Sequence, residues 1–346
     1  MNNHISTAAS SPPLYTPGLG HDKIMLATET MAHLMSSEGH QLQRGLECNG
    51  YSLWGPKLPN GESDTRRILD QTNPSTVVVQ DKREWDPVMG GCFDKTVAFT
   101  NTSMLAERPD IFKVTICRDA HQNPDYHCQA HAEIGCHAWI ICYHPDTICK
   151  LAPWLRREHL IRTYQSIDSN EIPSFVPPSG RKGAVLSGAL SSHIYPLRTR
   201  LAQAIARERM PNTEYLIHPG YHACGSTSVA YLQSLSRFKV SICTASIYGY
   251  ALRKLIESTA CGNVVITDLP QADRLPGIDG NLVRVSPEAT VAELRDVVQQ
   301  AVADYDPERQ REYARRACDY YHYTTLYAKL ASEIELMRTK AAIHAP

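Results

Sequence analysis

Strand-like and helix-like segments alternate along this chain, stop at a proline-rich break, and then alternate again. In the first half, Lys23–Thr28, Thr76–Gln80, Val97–Thr100, Phe112–Cys117 and Ala138–Cys142 have the dense apolar and β-branched composition of buried strands. Helical composition fills Met31–Glu47, Thr65–Gln71 and Tyr126–Gly135 between them. This spacing predicts a parallel sheet with helices on both faces. The segment Glu171–Gly183 (EIPSFVPPSGRKG) carries three prolines and two glycines and breaks both periodicities, so it reads as a linker. After it, Gly183–Gly188, Thr213–His218, Val240–Cys243 and Asn263–Thr267 read as strands. Tyr195–Arg209, Tyr250–Cys261, Val291–Tyr305 and Pro307–Tyr321 read as helices, with Asp306 as a cap before Pro307. The expected architecture is α/β: two Rossmann-like, doubly wound domains facing a cleft, with ligands at the carboxyl ends of the strands. The division is a flexible tail over 1–20, a domain over 21–172, a linker over 173–183, a second domain over 184–323, and a final helix over 324–346. That helix carries Leu326, Tyr327, Leu330, Ile334 and Met337 at helical spacing, so it needs a surface to cover.

Composition narrows the function classes. Lys plus Arg number 35 and Asp plus Glu 36, a net charge of −1, which removes the chain-wide cationic field of a general nucleic-acid binder. No apolar run approaches the roughly 18–20 residues of a membrane span, and Met1–Gly20 lacks the pattern of a signal peptide. A cytoplasmic protein is expected. The cysteine count is 11, an odd number with no Cys-x-x-Cys pair, which predicts reduced, buried thiols rather than a disulfide framework.

The most informative stretch is Tyr248–Pro270, YGYALRKLIESTACGNVVITDLP. A turn at Tyr248-Gly249-Tyr250 leads into a helix with Lys254 and Glu257, then Ala260-Cys261-Gly262 and a strand ending at Asp268. This arrangement resembles the donor-nucleotide signature of GT-B fold glycosyltransferases, and in particular the CgeB-like (glycosyl transferases group 1) branch. The resemblance extends back through Tyr195-Pro196-Leu197-Arg198 and His218-Pro219-Gly220-Tyr221, and covers the first half only in architecture. It implies an N-terminal acceptor domain, a C-terminal donor domain, and a last helix that crosses back to the first domain. Larger retaining GT-B families carry a second glutamate eight positions before the one matched by Glu257. Gly249 stands there in this chain, so their sugar-binding scheme does not transfer.

The same residues have a physical reading. A carboxylate at Glu257 can accept hydrogens from both ribose hydroxyls, while a helix start faces the diphosphate. The plainer alternative is a Lys254–Glu257 surface ion pair at (i, i+3). The small-residue turn after Gly183–Gly188 exposes backbone N–H groups to an anion, and Arg198 in the next helix's first turn can add a bidentate contact. Arg200, roughly 200° around that helix, is the competitor. Gly188 and His193 are loop neighbours, Tyr221 can stack on the base beside His218, and Tyr248, Gly249 and Tyr250 complete the donor-side set.

The acceptor side is thinner. Asp119 and His121 follow the strand Phe112–Cys117, and either can act as general base in an inverting transfer; with Arg198 they are the candidate catalytic residues. His121, His127, Cys128, His131, Cys136 and His137 cluster in sequence, yet their spacing matches no zinc pattern, so no metal is expected. The function implied is transfer of a sugar from a nucleoside-diphosphate sugar, UDP-sugar favoured, to an acceptor hydroxyl, without a bound metal or cofactor. The acceptor (glycan, protein, small molecule or modified DNA) is left open. Two alternatives stand beside it: a non-catalytic structural protein of the same fold, and a transferase acting on hydroxymethylated bases, with Arg66-Arg67 and Arg156-Arg157 lining a groove.

Overall fold

The computed structural model of the chain describes residues 22–28, 38–81, 99–117, 119, 124–217 and 227–343. The first sheet takes its strands from β1 (Lys23–Leu26), β2 (Ser52–Trp54), β3 (Thr76–Val79), β4 (Phe112–Ile116), β5 (Ala138–Ile141) and β6 (Leu160–Arg162), in the spatial order β2-β1-β3-β4-β5-β6, all parallel. The second takes β7 (Lys182–Ser187), β8 (Thr213–Leu216), β9 (Phe238–Ile242), β10 (Val264–Thr267) and β11 (Leu282–Arg284), in the order β11-β10-β9-β7-β8, again all parallel. Numbered from its own first strand, the first sheet runs 2-1-3-4-5-6 and the second 2-1-3-4-5. Both therefore reverse direction between their first and third strands, and ligands of doubly wound sheets sit at that reversal.

The central strands are apolar throughout because both faces are covered. Every residue of β3, β4 and β5 is buried. One face of the first sheet presents Met25, Val78, Val114 and Ile140 to α1 (Glu38–Glu47) and to the final helix. The other presents Ile24, Leu26, Val77 and Val79 together with Ile68 and Leu69 of α2 (Thr65–Thr72) and Ile134 of α3 (Pro124–Ile134). α4 (Pro145–Leu151) follows β5 and buries Ile148. In the second half, α5 (Pro196–Ala206), α6 (Thr227–Leu235), α7 (Arg253–Ala260), α8 (Val291–Ala303) and α9 (Pro307–Tyr321) cover the second sheet. Asp306 caps α9, accepting from the Glu308 and Arg309 amides at 2.9 and 3.2 Å.

Several sequence expectations shift. β2, β6 and β11 are three-residue edge strands, too short to leave a pattern, and α6 had no amphipathic signature. The described part of Val97–Thr100 is not a sheet strand: β3 pairs directly with β4, leaving no place between them, and Thr100 makes only an isolated bridge to Asp64. Helix α7 starts at Arg253 rather than Tyr250. β7 begins at Lys182, inside the linker expected over 173–183. The tail, Met31–Ser37, Val97 and Ala98 lie outside the described residues.

The last helix, α10 (Tyr323–Ile343), leaves the second half and packs on the first sheet, where Leu326, Tyr327, Leu330, Ala331 and Ile334 join the core beneath α1. Each large side chain among them contributes about 1.5–3 kcal/mol by burial. The crossing point is stitched to the strand leading into the linker: Ile167 donates to the Tyr321 carbonyl and Tyr323 to the Ile167 carbonyl, both at 3.0 Å. Arg181, in the linker, donates to the carbonyls of Val176, Phe238, Cys261 and Gly262. No described helix is long and apolar enough to cross a membrane.

Close approach of α10 to α1 depends on Gly45, where a Cβ would lie 2.5 Å from Tyr327 Cδ2. Gly45→Leu is expected to lower stability by about 1–3 kcal/mol, seen as a lower urea midpoint at unchanged slope. An unchanged midpoint would show that this contact does not hold the helix.

Candidate active site

The second sheet's reversal lies between β7 and β9, and the polar side chains of the C-terminal half gather there. Gly188 follows β7 with φ +112°, in the left-handed region that favours glycine. A Cβ at this position would fall 1.9 Å from Lys254 Nζ and 2.8 Å from Arg198 Nη1. Only a glycine lets both cations come this close to the backbone.

Arg198 sits in the first turn of α5, which Pro196 opens. It is 1% exposed. Its Nη1 donates to the Ala189 carbonyl at 2.9 Å, its Nε to Thr244 Oγ1 at 3.0 Å, and its Nη2 to the Thr244 carbonyl at 2.9 Å. The guanidinium lies 3.8 Å from the Tyr195 ring centroid. One side chain thus joins the loop after β7 to the loop after β9. Arg200 points elsewhere: it is exposed and donates to the Pro287 and Ala289 carbonyls, 3.0 Å each.

Lys254, in the first turn of α7, donates from Nζ to the Ser187 carbonyl at 3.0 Å. Burial, with Arg198 adding to it, pulls its ammonium down to about 7. Glu257, one turn on, is buried and pairs with Arg253 at 3.0 Å across (i, i+4). The surface pair Lys254–Glu257 that spacing allowed is not formed; Arg253 takes the carboxylate. Sequence reasoning missed Arg253: at (i, i+4) it lies as near Glu257 on the helix as Lys254 does at (i, i+3), and spacing does not decide which takes the carboxylate. It also missed Tyr231 on α6, whose hydroxyl lies 3.0 Å from Ser187 Oγ, and whose ionisation is pushed well up by burial and by Glu257.

The loop after β9 is held at both ends. Asp268, at the end of β10, accepts from the Ala245 amide at 2.5 Å, and burial pushes its carboxyl up. The Ile247 amide donates to the Ile194 carbonyl at 2.9 Å, joining this loop to the one before α5. Gly249 turns with φ +66°, and Tyr248 N donates to Ser246 Oγ at 3.2 Å.

Tyr250 is placed differently from expectation. Its ring stacks on Tyr143 of the first half, centroids 3.6 Å apart and planes 4° from parallel, so that face meets the other half of the chain. Tyr143 also donates to Asp119 Oδ1 at 3.0 Å. Asp119, after β4, takes φ +45°. The loop after β9 and Asp119 thus meet through one tyrosine. His193 is exposed before α5; His121, His218 and Tyr221 lie outside the described residues. The first sheet's reversal is polar too: Thr28 N donates to Gln80 Oε1 at 2.8 Å and Gln43 Nε2 to the Thr28 carbonyl at 2.7 Å.

No protein-family model and no curated protein matches this sequence. Solved structures do match in fold. A sucrose-phosphate synthase from Thermosynechococcus elongatus superposes with a TM-score of 0.55 at 10% identity, covering 93% of this chain and 100% of that one. A glycosyltransferase from Rickettsia africae superposes with a TM-score of 0.56 at 10% identity, covering 92% and 99%. The chain has the GT-B fold, two parallel α/β sheets of six and five strands.

The crowding at Gly188 has a direct consequence. Gly188→Ala should cost about 1–3 kcal/mol through left-handed strain and displacement of Lys254. Equal urea midpoints for wild type and variant would refute the packing described.

Proposed function

We propose that this chain is a glycosyltransferase that binds the diphosphate of a nucleoside-diphosphate sugar, UDP-sugar favoured, at the β7–β9 reversal and transfers the sugar to an acceptor hydroxyl. The observation that carries the reading is buried Arg198 beside half-buried Lys254, both packed against Gly188 where a doubly wound sheet receives ligands. Two cations held side by side in a poorly solvated crevice favour an anion. As the glycosidic bond to the donor breaks, negative charge grows on the departing diphosphate, and fixed cations stabilise it most at the transition state. They serve in place of a divalent ion. Glu257, oriented by Arg253, is assigned to the ribose hydroxyls. The acceptor is assigned to the first sheet's reversal and to Asp119, which receives its proton in an inverting transfer. Lys254, Glu257 and Ala260-Cys261-Gly262 support the CgeB-like branch of the fold. A DNA acceptor gains little from the basic pairs: Arg157 pairs with Asp146, and Arg67 lies 3.9 Å from both Glu62 and Asp64.

Calorimetric titration with UDP, and hydrolysis of UDP-glucose, test this reading. Arg198→Ala should weaken UDP binding by about 1.5–3 kcal/mol, with a further loss in turnover. Arg198→Lys should keep part of both, having charge without the planar fork. Arg200→Ala should behave as wild type. UDP binding without turnover of any nucleotide sugar would favour the non-catalytic alternative. No binding of UDP, GDP or ADP by the folded wild type would end the proposal.

Lys254 adds a pH signature. Its folded value lies below the ordinary one of about 10.4, so between these the unfolded chain holds a proton that the folded chain lacks. Stability contributed by this group therefore rises with pH from about 7 upward. A bound diphosphate reverses the balance by favouring the ammonium. UDP binding at pH ~8 should take up close to one proton, seen as a dependence of heat on buffer ionisation enthalpy, and affinity should fall as pH rises further. Lys254→Met should abolish the uptake; an uptake unchanged in that variant would assign the proton to another group.

A further inference from the structure

We propose that Cys117, His127 and His131 form a zinc site in the N-terminal half, apart from the donor crevice. The sulfur of Cys117 and one nitrogen of each imidazole lie within 4.8 Å of one another, and all three residues are buried. They come from two elements. Cys117 follows the last residue of β4, where its amide donates to the Ile140 carbonyl at 2.9 Å. His127 and His131 are one turn apart on α3, so they share a helix face. Zinc bonds of about 2.0–2.3 Å place tetrahedral ligand atoms roughly 3.4–3.6 Å apart. Closing from 4.8 Å requires only small side-chain rotations.

The surroundings favour an ion. His131 stacks on Trp139 with centroids 5.6 Å apart and meets the edge of Trp154 at 5.0 Å. These rings fix the imidazole plane and exclude bulk water, as a well-ordered metal shell requires. A thiolate with two neutral imidazoles suits zinc among the common divalent ions. Binding releases the Cys117 thiol proton to solvent, leaving one net positive charge on the ion with its three ligands. A water completes the fourth position. Among the described residues of the cluster in sequence, His127 and His131 take part. His137 is engaged elsewhere, stacking on Phe112 and accepting from the Lys113 amide at 3.1 Å, and Cys128 is exposed. The third ligand, Cys117, lay outside that cluster, which is why spacing matched no zinc pattern.

The ion would tie the end of β4 to α3 across the segment that bears Asp119, two residues after Cys117. It is thus a positioning site for the acceptor-side carboxylate, with no part in the diphosphate chemistry.

The full chain, stripped with a chelator and dialysed, is to be titrated with Zn²⁺ and separately with Co²⁺. Uptake of about one equivalent is expected, with the thiolate-to-cobalt charge-transfer band and the intense visible bands of four-coordinate cobalt. Saturating Zn²⁺ should raise the thermal midpoint by at least about 3 °C. Cys117→Ser should abolish the charge-transfer band, and His131→Gln should weaken Zn²⁺ binding at least tenfold. Uptake below about a tenth of an equivalent by the folded wild type at micromolar Zn²⁺ overturns the proposal without reference to any variant. So does Zn²⁺ or Co²⁺ binding that is unchanged in both folded variants, which would place the metal elsewhere.

Discussion

Arg198 spans the gap where the second sheet reverses its strand order, and the candidate active site depends on that span. In a parallel sheet the loops after the first and third strands leave in opposite directions, because their crossover helices cover opposite faces. The crevice this opens is lined by backbone carbonyls. A buried guanidinium with donors to both loops satisfies those carbonyls and fixes the crevice width. The same placement keeps a permanent positive charge where water is scarce. Replacing it with a neutral side chain would leave Thr244 and Ala189 carbonyls short of a donor, so structure and charge are hard to separate at this position.

Lys254 shows the electrostatic tension that results. Its ammonium is drawn close to the guanidinium by the Ser187 carbonyl and held there by burial. Such an arrangement is unfavourable in the empty crevice and becomes favourable when an anion enters, so it concentrates binding energy at one spot. Gly188 makes the arrangement sterically feasible. The proposed donor reading rests on these three residues more than on any resemblance in sequence.

The two halves are joined by dissimilar contacts. α10 contributes a broad apolar interface to the first sheet, while the cleft side carries narrower polar and aromatic ones. Arg162 at the end of β6 pairs with Asp273, which is 1% exposed. Breaking such a pair from one side strands a buried charge and is costly. Tyr143 stacks on Tyr250 and donates to Asp119, so any change in spacing between the halves bears directly on the Asp119 carboxylate.

What the sequence determined by itself is local. Period and composition marked the buried strands β3, β4, β5, β7 and β10 and the helices α5, α8 and α9 closely, because those residues are apolar for reasons that recur at short range. Edge strands such as Leu160–Arg162 left no such trace, since pairing on one side alone tolerates any composition. At the candidate site the sequence indicated Arg198, Lys254 and Glu257 but not how they are used. Spacing allowed a Lys254–Glu257 pair as the plainer alternative, and the fold gave Glu257 to Arg253 and Lys254 to the Ser187 carbonyl. It put Tyr250 in a helix at the donor site, and the fold turned that ring onto Tyr143. It grouped His and Cys residues by position, and the fold brings two of them, His127 and His131, close to Cys117 from the neighbouring strand end. Each reversal has one cause: a side chain's partner is set by which strand ends and helix faces meet in space, and that is a property of sheet order and crossover direction rather than of spacing along the chain.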